Sequence, residues 1–170
     1  NPDFEERITI GYSTHVVKLG GLHSNEKNRR ISLQENQIMR DADVGGQHPS
    51  AIAKRKLHPE HLSEIWSQQI EDNILERDTL KPLSKKDPSI AVWTGALKLC
   101  NNGGGFGKLG EMTNWQCDFK TLYSVTVGNE LEILMLIEEL ELNNISVISS
   151  NTDGIVSVFD KSLEDTYKQI

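Results

Sequence analysis

An α+β fold, a sheet backed by helices, is what three observations in this 170-residue chain predict. Short β-branched runs broken by glycine pairs fill the stretch from Ile8 to Val44. The middle of the chain repeats apolar residues at three- and four-residue intervals, the spacing of helix faces. The segment from Ile145 to Asp160, ISVISSNTDGIVSVFD, reads as a β-hairpin. Strands, then helices, then a hairpin segregate as a sheet with helices against it.

Taken in order, Ile8-Thr9-Ile10 and His15-Val16-Val17 predict short strands, and Gly20-Gly21 a break. Charged Glu26 to Arg30 predicts a loop, and Gln37 to Val44 a strand that Gly45-Gly46 ends. Pro49 stands where a helix can begin, because its missing N–H costs nothing in a first turn. From Pro59 to Arg77, Leu62, Ile65, Trp66, Ile70 and Ile74 make one apolar stripe and predict a helix. Lys81 to Pro88, rich in lysine and proline, predicts a loop. A second helix from Ser89 to Cys100 would carry Ile90, Trp93, Leu97 and Cys100 on one face. Asn101 to Gly105 is expected to end it, since two Asn and three Gly continue a helix only at a cost. A third helix, Ser124 to Leu142, is expected to bury Leu131, Leu134, Met135 and Ile137, and Asn143-Asn144 closes it. In the hairpin, Asp153-Gly154 is the expected turn pair, with the Asp153 carboxylate at the tip.

Composition narrows the class. Hydrophobic residues make up 36% and charged residues 25%, with no apolar run of membrane-spanning length, so a folded chain without a membrane segment is expected. Asn1 in place of an initiator Met, with no signal-peptide pattern after it, predicts a fragment of something larger. Cys100 and Cys117 lack ligand spacing and read as free thiols. A net charge of −7 argues against wrapping nucleic acid by bulk electrostatics. It leaves room for a phosphoryl-transfer site, which needs carboxylates of its own. The basic clusters Lys54-Arg55-Lys56 and Lys81, Lys85, Lys86 read first as solvated faces.

Three places could carry chemistry. Asp41-Ala42-Asp43 ends a predicted strand just before a helix start, where a carboxylate beside free N–H groups suits a metal bearing a triphosphate. Residues two apart on a strand share a face, so burying both acids would be costly. The plain alternative is an exposed strand end. Lys98 precedes the glycine-rich run Asn102-Gly103-Gly104-Gly105-Phe106-Gly107-Lys108, which can bind phosphate but is not a P-loop. There the plain alternative is a loop of structural glycines. Asp153 is the third, with turn chemistry alone as its alternative. Together, two distant carboxylates and a helix lysine are what two-metal phosphoryl transfer to a primer 3′-hydroxyl requires.

At this point the chain resembles the palm and short fingers of family B DNA polymerases, in the divergent phage or mobile-element style. Asp43-Val44-Gly45-Gly46-Gln47-His48-Pro49-Ser50 is similar to the motif DxxSLYPS, Lys98 through Gly107 to KxxxNSxYG, and Ser150-Asn151-Thr152-Asp153-Gly154 to xDTDS. The resemblance covers nearly the whole chain in the family's order. It implies an antiparallel palm sheet backed by helices with a short helical fingers insertion. Residues 1–36 would lead into the palm, 37–58 carry its first motif, 59–110 form the fingers with the second, and 111–170 return to the palm with the third.

By the same resemblance Asp43 and Asp153 would be catalytic, and with Val44 would hold two Mg²⁺ ions. Val44, His48, Lys98 and Asn102 would bind the nucleotide. Primer-template DNA and dNTPs would be the partners, with thumb and exonuclease domains elsewhere in a longer parent, in the cytoplasm of a bacterial host. Three departures stand out: His48 replaces the aromatic that packs under the sugar, Asn151 replaces the first acid of the third motif, and the second motif has one extra glycine before Phe106. That glycine predicts a displacement of Phe106 from Lys98 by about 1.5 Å, one helical rise. Two other readings remain at this level: a degenerate palm that binds nucleic acid or a partner without catalysis, and an unrelated glycine-loop nucleotide-binding domain using Lys108.

Overall fold

The computed structural model describes residues 4–170. In chain order its elements are β1 (Glu5–Ile10), β2 (Ser13–Lys18), β3 (Gly21–Ser24), β4 (Gln37–Asp43), α1 (Gln47–Arg55), α2 (Ile65–Leu80), α3 (Pro88–Leu99), α4 (Phe119–Leu142), β5 (Ser146–Asn151), β6 (Gly154–Asp160) and α5 (Glu164–Gln169). They group into two compact units, one running to Gly45 and resuming over Thr126–Ile170, the other Gly46–Val125. The chain is α+β, as its sequence predicts.

The first unit is built on a six-stranded sheet in the order β1-β2-β3-β5-β6-β4, with every pairing antiparallel. Alternation along the strands sorts its faces. Val17, Leu22, Ile155 and Phe159 point to one face, where they pack with Ile133, Leu134, Ile137 and Leu140 of α4. The seam between β3 and β5 has a single paired position, His23 opposite Asn151. Polar side chains reinforce it: Ser13 Oγ donates to Val147 O at 2.8 Å, and His15 Nδ1 lies 2.8 Å from Ser150 Oγ. His15 is wholly buried, and burial pushes its imidazole below the usual range, toward the neutral form that such a contact suits.

Helix α4 starts at Phe119 and not at Ser124, because Asp118 caps it by accepting from Lys120 N and Thr121 Oγ1. Its buried stripe also differs from expectation. Leu134 and Ile137 are inside, but Leu131 and Met135 are exposed and their places in the core are taken by Ile133 and Leu140. The stripe continues toward the N-terminus through Asn129 and Glu130, polar residues that hide it from an apolar-spacing count. Ile137→Ala is therefore expected to lower unfolding stability by about 2–5 kcal/mol, and Leu131→Ala by no more than ~0.5 kcal/mol, as read by urea denaturation.

After the hairpin the chain ends in α5, an element that the sequence pattern does not predict. Arg40 of β4 pairs with Glu164 at 2.8 Å, and the Tyr167 ring stacks on Phe159 with centroids 4.8 Å apart.

In the second unit, Ala51, Ile52, Ile70, Leu109 and Val125 form the core. Helix α2 begins at Ile65, six residues later than the stripe from Pro59 predicted. Residues 58–62 are tied elsewhere: His61 Nε2 lies 2.8 Å from Trp115 O, and Thr121 Oγ1 donates to His58 O. On α3, Leu97 is buried as expected, whereas Trp93 and Cys100 are exposed and Thr94 turns inward. Asp87 caps α3 by accepting from Ser89 N, with Pro88 in its first turn. No helix among the described residues is long and apolar enough to cross a membrane.

Candidate active site

Strands β4 and β6 pair from Gln37 opposite Asp160 to Asp43 opposite Gly154. This register sets the end of β4 beside the β5–β6 turn. The Val44 N–H donates to Asp153 O at 2.8 Å, so the segment after Asp43 is hydrogen-bonded to the hairpin tip. Asp43 and Asp153, distant in sequence, thus lie at adjoining strand ends, and both are exposed. On the face opposite α4, Asp41 and Asp43 line a cavity of about 230 Å³ together with Ser149, Asn151, Gly154 and Val156.

The hairpin turn is Thr152-Asp153, with Thr152 at φ 35°, and Gly154 already belongs to β6. The expected Asp153-Gly154 turn pair is corrected accordingly. Gly154 serves a different need. A Cβ there would stand 2.2 Å from Asp43 Oδ1, so the absent side chain is the space into which the Asp43 carboxylate leans. Asp153 keeps its place at the tip. The turn is also held from the side: Thr152 N donates to Leu22 O at 2.6 Å.

The other predicted residues lie in the second unit. His48 is in the first turn of α1, and its ring packs on Phe106 with centroids 4.2 Å apart and planes 33° from parallel. The position expected to face a sugar and the aromatic of the second motif are thus in contact. Lys98 is exposed in the last turn of α3, and Asn102 Nδ2 donates to Lys98 O at 3.1 Å.

The Asn-Gly run does not stop the helix. Cys100–Gly105 continues it as a π turn, in which the Phe106 N–H reaches both Asn101 O and Asn102 O, and Phe106–Gly110 follows as 3-10 helix. Buried Asn101 fixes the turn to α2, donating to Ile70 O and accepting from Asn73 Nδ2 at 2.9 Å. A π turn holds one residue more than an α turn. An inserted residue can be taken up in this way, as a local widening of the helix.

No group of three or more His, Cys, Asp or Glu side chains among the described residues is placed to hold a metal. The donors expected from the sequence, Asp43, Asp153 and the Val44 carbonyl, are all hard oxygens. Mg²⁺ is commonly bound through one or two carboxylates plus substrate phosphates, so the donors present fit that ion. A site missed by sequence reasoning is the buried acid Glu130 on α4. Both of its carboxyl oxygens lack hydrogen-bond partners, and burial pushes it up to about 7 against the pull of the nearby Gly21 N–H.

The sequence matches no protein-family model and no curated protein. In three dimensions the chain is similar to the family B DNA polymerase of the hyperthermophilic archaeon Pyrobaculum calidifontis, with a TM-score of 0.58 over 87% of this chain at 15% identity. It spans 25% of that polymerase's length. At that identity the likeness is one of architecture: this chain has the fold of a segment of a family B DNA polymerase.

Proposed function

We propose that this chain is the catalytic core of a template-directed DNA polymerase, adding dNTPs to a primer 3′ end by two-metal phosphoryl transfer. The observation that carries the reading is the β4–β6 register, which brings Asp43 beside the turn bearing Asp153. The polymerase-like fold supports it. Asp43, Asp153 and the Val44 carbonyl would hold Mg²⁺ between them. Bound there, the ion pair would supply Lewis-acid activation of the primer hydroxyl and neutralise charge on the phosphates.

The chain's own residues would then position the substrate. Asp43 at the end of β4 and Asp153 in the β5–β6 turn would present oxygens from two different segments, so a shared ligand would be gripped from both sides. Lys98 would neutralise the leaving pyrophosphate, with Asn102 bonded to its backbone carbonyl. His48, braced by Phe106, would lie against the sugar.

The test is calorimetric titration of dNTP into the chain with and without Mg²⁺, followed by a primer-extension assay. dNTP binding that appears only with the cation is the expected result. Nucleotide or DNA binding indifferent to Mg²⁺ would overturn catalysis and favour a palm that binds without reacting.

A further inference from the structure

A row of directly opposed residues crosses the face of the sheet that carries the acidic site. Val16 stands opposite His23, His23 opposite Asn151, Asn151 opposite Gly154, and Gly154 opposite Asp43. Opposed residues of antiparallel strands share a face, with Cβ atoms roughly 4.5–5.5 Å apart. His23, Asn151 and Asp43 therefore point the same way in one line, and all three are exposed.

The register at His23 is pinned on both sides. Leu22 O accepts from Thr152 N, and Ser24 Oγ accepts from Ser150 N at 3.1 Å. Each of the bonds flanking His23 thus reaches a residue flanking Asn151, and a slip of β3 would break both. A seam with a single paired position has this pair at its centre.

Asn151 poses a chemical problem that an acid in its place would not. Its amide has one end that accepts and one that donates. Only Oδ1 can face a hard cation. Nδ2 in that direction would bond the Asp43 carboxylate and occupy its lone pairs. Something must choose between the two orientations, and an imidazole nitrogen beside the amide does so by accepting from Nδ2–H. Gly154 leaves the way from Asn151 to Asp43 open, since that position has no side chain and Asp43 already leans into it.

We propose that His23 is a positioning residue of this site: it accepts from Asn151 Nδ2 and so turns Asn151 Oδ1 toward Asp43 and the divalent cation held there. This rests on the metal-holding role proposed above for Asp43 and Asp153. An aspartate at 151 would have two equivalent oxygens and no need of such a partner. The His23–Asn151 pair is thus a substitute for a second acid.

Mn²⁺ binding to the chain, read from the free-ion electron paramagnetic resonance signal, tests this without reference to turnover. His23→Ala is expected to weaken Mn²⁺ binding about tenfold, the low end for loss of a group that orients a metal ligand. His23→Gln, whose amide oxygen accepts in the imidazole's place, should restore most of it. In an Asn151→Asp background, His23→Ala should change nothing. Equal losses in both backgrounds, or no loss in either while Asp43→Asn still weakens binding, would overturn the positioning role alone. Mn²⁺ binding insensitive to Asp43→Asn would overturn the metal-holding role beneath it. Both His23 and Asn151 are exposed, and circular dichroism on each variant confirms that the fold is retained.

Discussion

Asp43→Asn and Asp153→Asn are each expected to cut Mg²⁺-dependent primer extension by the protein by on the order of a thousandfold or more, a loss of several kcal/mol in transition-state stabilisation. The change is nearly isosteric and both positions are exposed, so folding should be untouched. What goes is charge at adjoining strand ends that would share one ion pair. Gly154→Ala provides an independent arm. It removes no charge, yet its Cβ would stand 2.2 Å from Asp43 Oδ1 and force that carboxylate out of its position. A misplacement of this kind is expected to cost about a hundredfold in rate. If all three variants extended primers at the unaltered rate, the acidic strand ends would have no catalytic part. Loss in the aspartate variants with Gly154→Ala unaffected would mean that Asp43 acts from another rotamer than the one leaning over Gly154.

Which parts of this arrangement the sequence reveals depends on how local their causes are. Asp153 at a hairpin tip is legible because alternation on both flanks fixes the strands around it. Which two residues make the turn is not, because Gly154 is present for the Asp43 side chain across the sheet and only a long-range register shows that. The π turn is hidden for a related reason. Asn101 to Gly105 spells a helix stop, and what keeps the turn wound is an amide anchored to α2. By contrast, the early start of α4 has a local signal, since Asp118 followed three residues on by Thr121 is a cap. The β3–β5 seam had no local signal. Its single pair joins segments near opposite ends of the chain, and the side-chain bonds beside it come from serine and histidine residues that composition counts as surface.

Glu130 is equally hard to read from the sequence, and it makes the stability of the fold depend on pH. An acid in a helix otherwise lined with glutamates reads as solvated, but here it is only 2% exposed and faces inward beside Ile133 and Leu134. Its carboxyl is raised from 4.5 to about 7, chiefly by burial. Between those two values the folded chain keeps a proton that the unfolded chain has released. Stability is therefore fully present below about pH 4.5, falls as pH rises through the window, and levels off above about pH 7. The full loss is at most about 3 kcal/mol, at 1.36 kcal/mol for each unit of displacement. Glu130→Gln keeps the shape and removes the proton, so it should equal the parent chain near pH 4 and exceed it by up to that amount near pH 8 in urea unfolding. Parallel pH profiles for the two would show that Glu130 ionises in the folded state as it does in the unfolded one. The same variant bears on the site, because Glu130 lies by the Gly21 N–H and a Cβ at Gly21 would stand 2.6 Å from Thr152 Oγ1 in the hairpin turn.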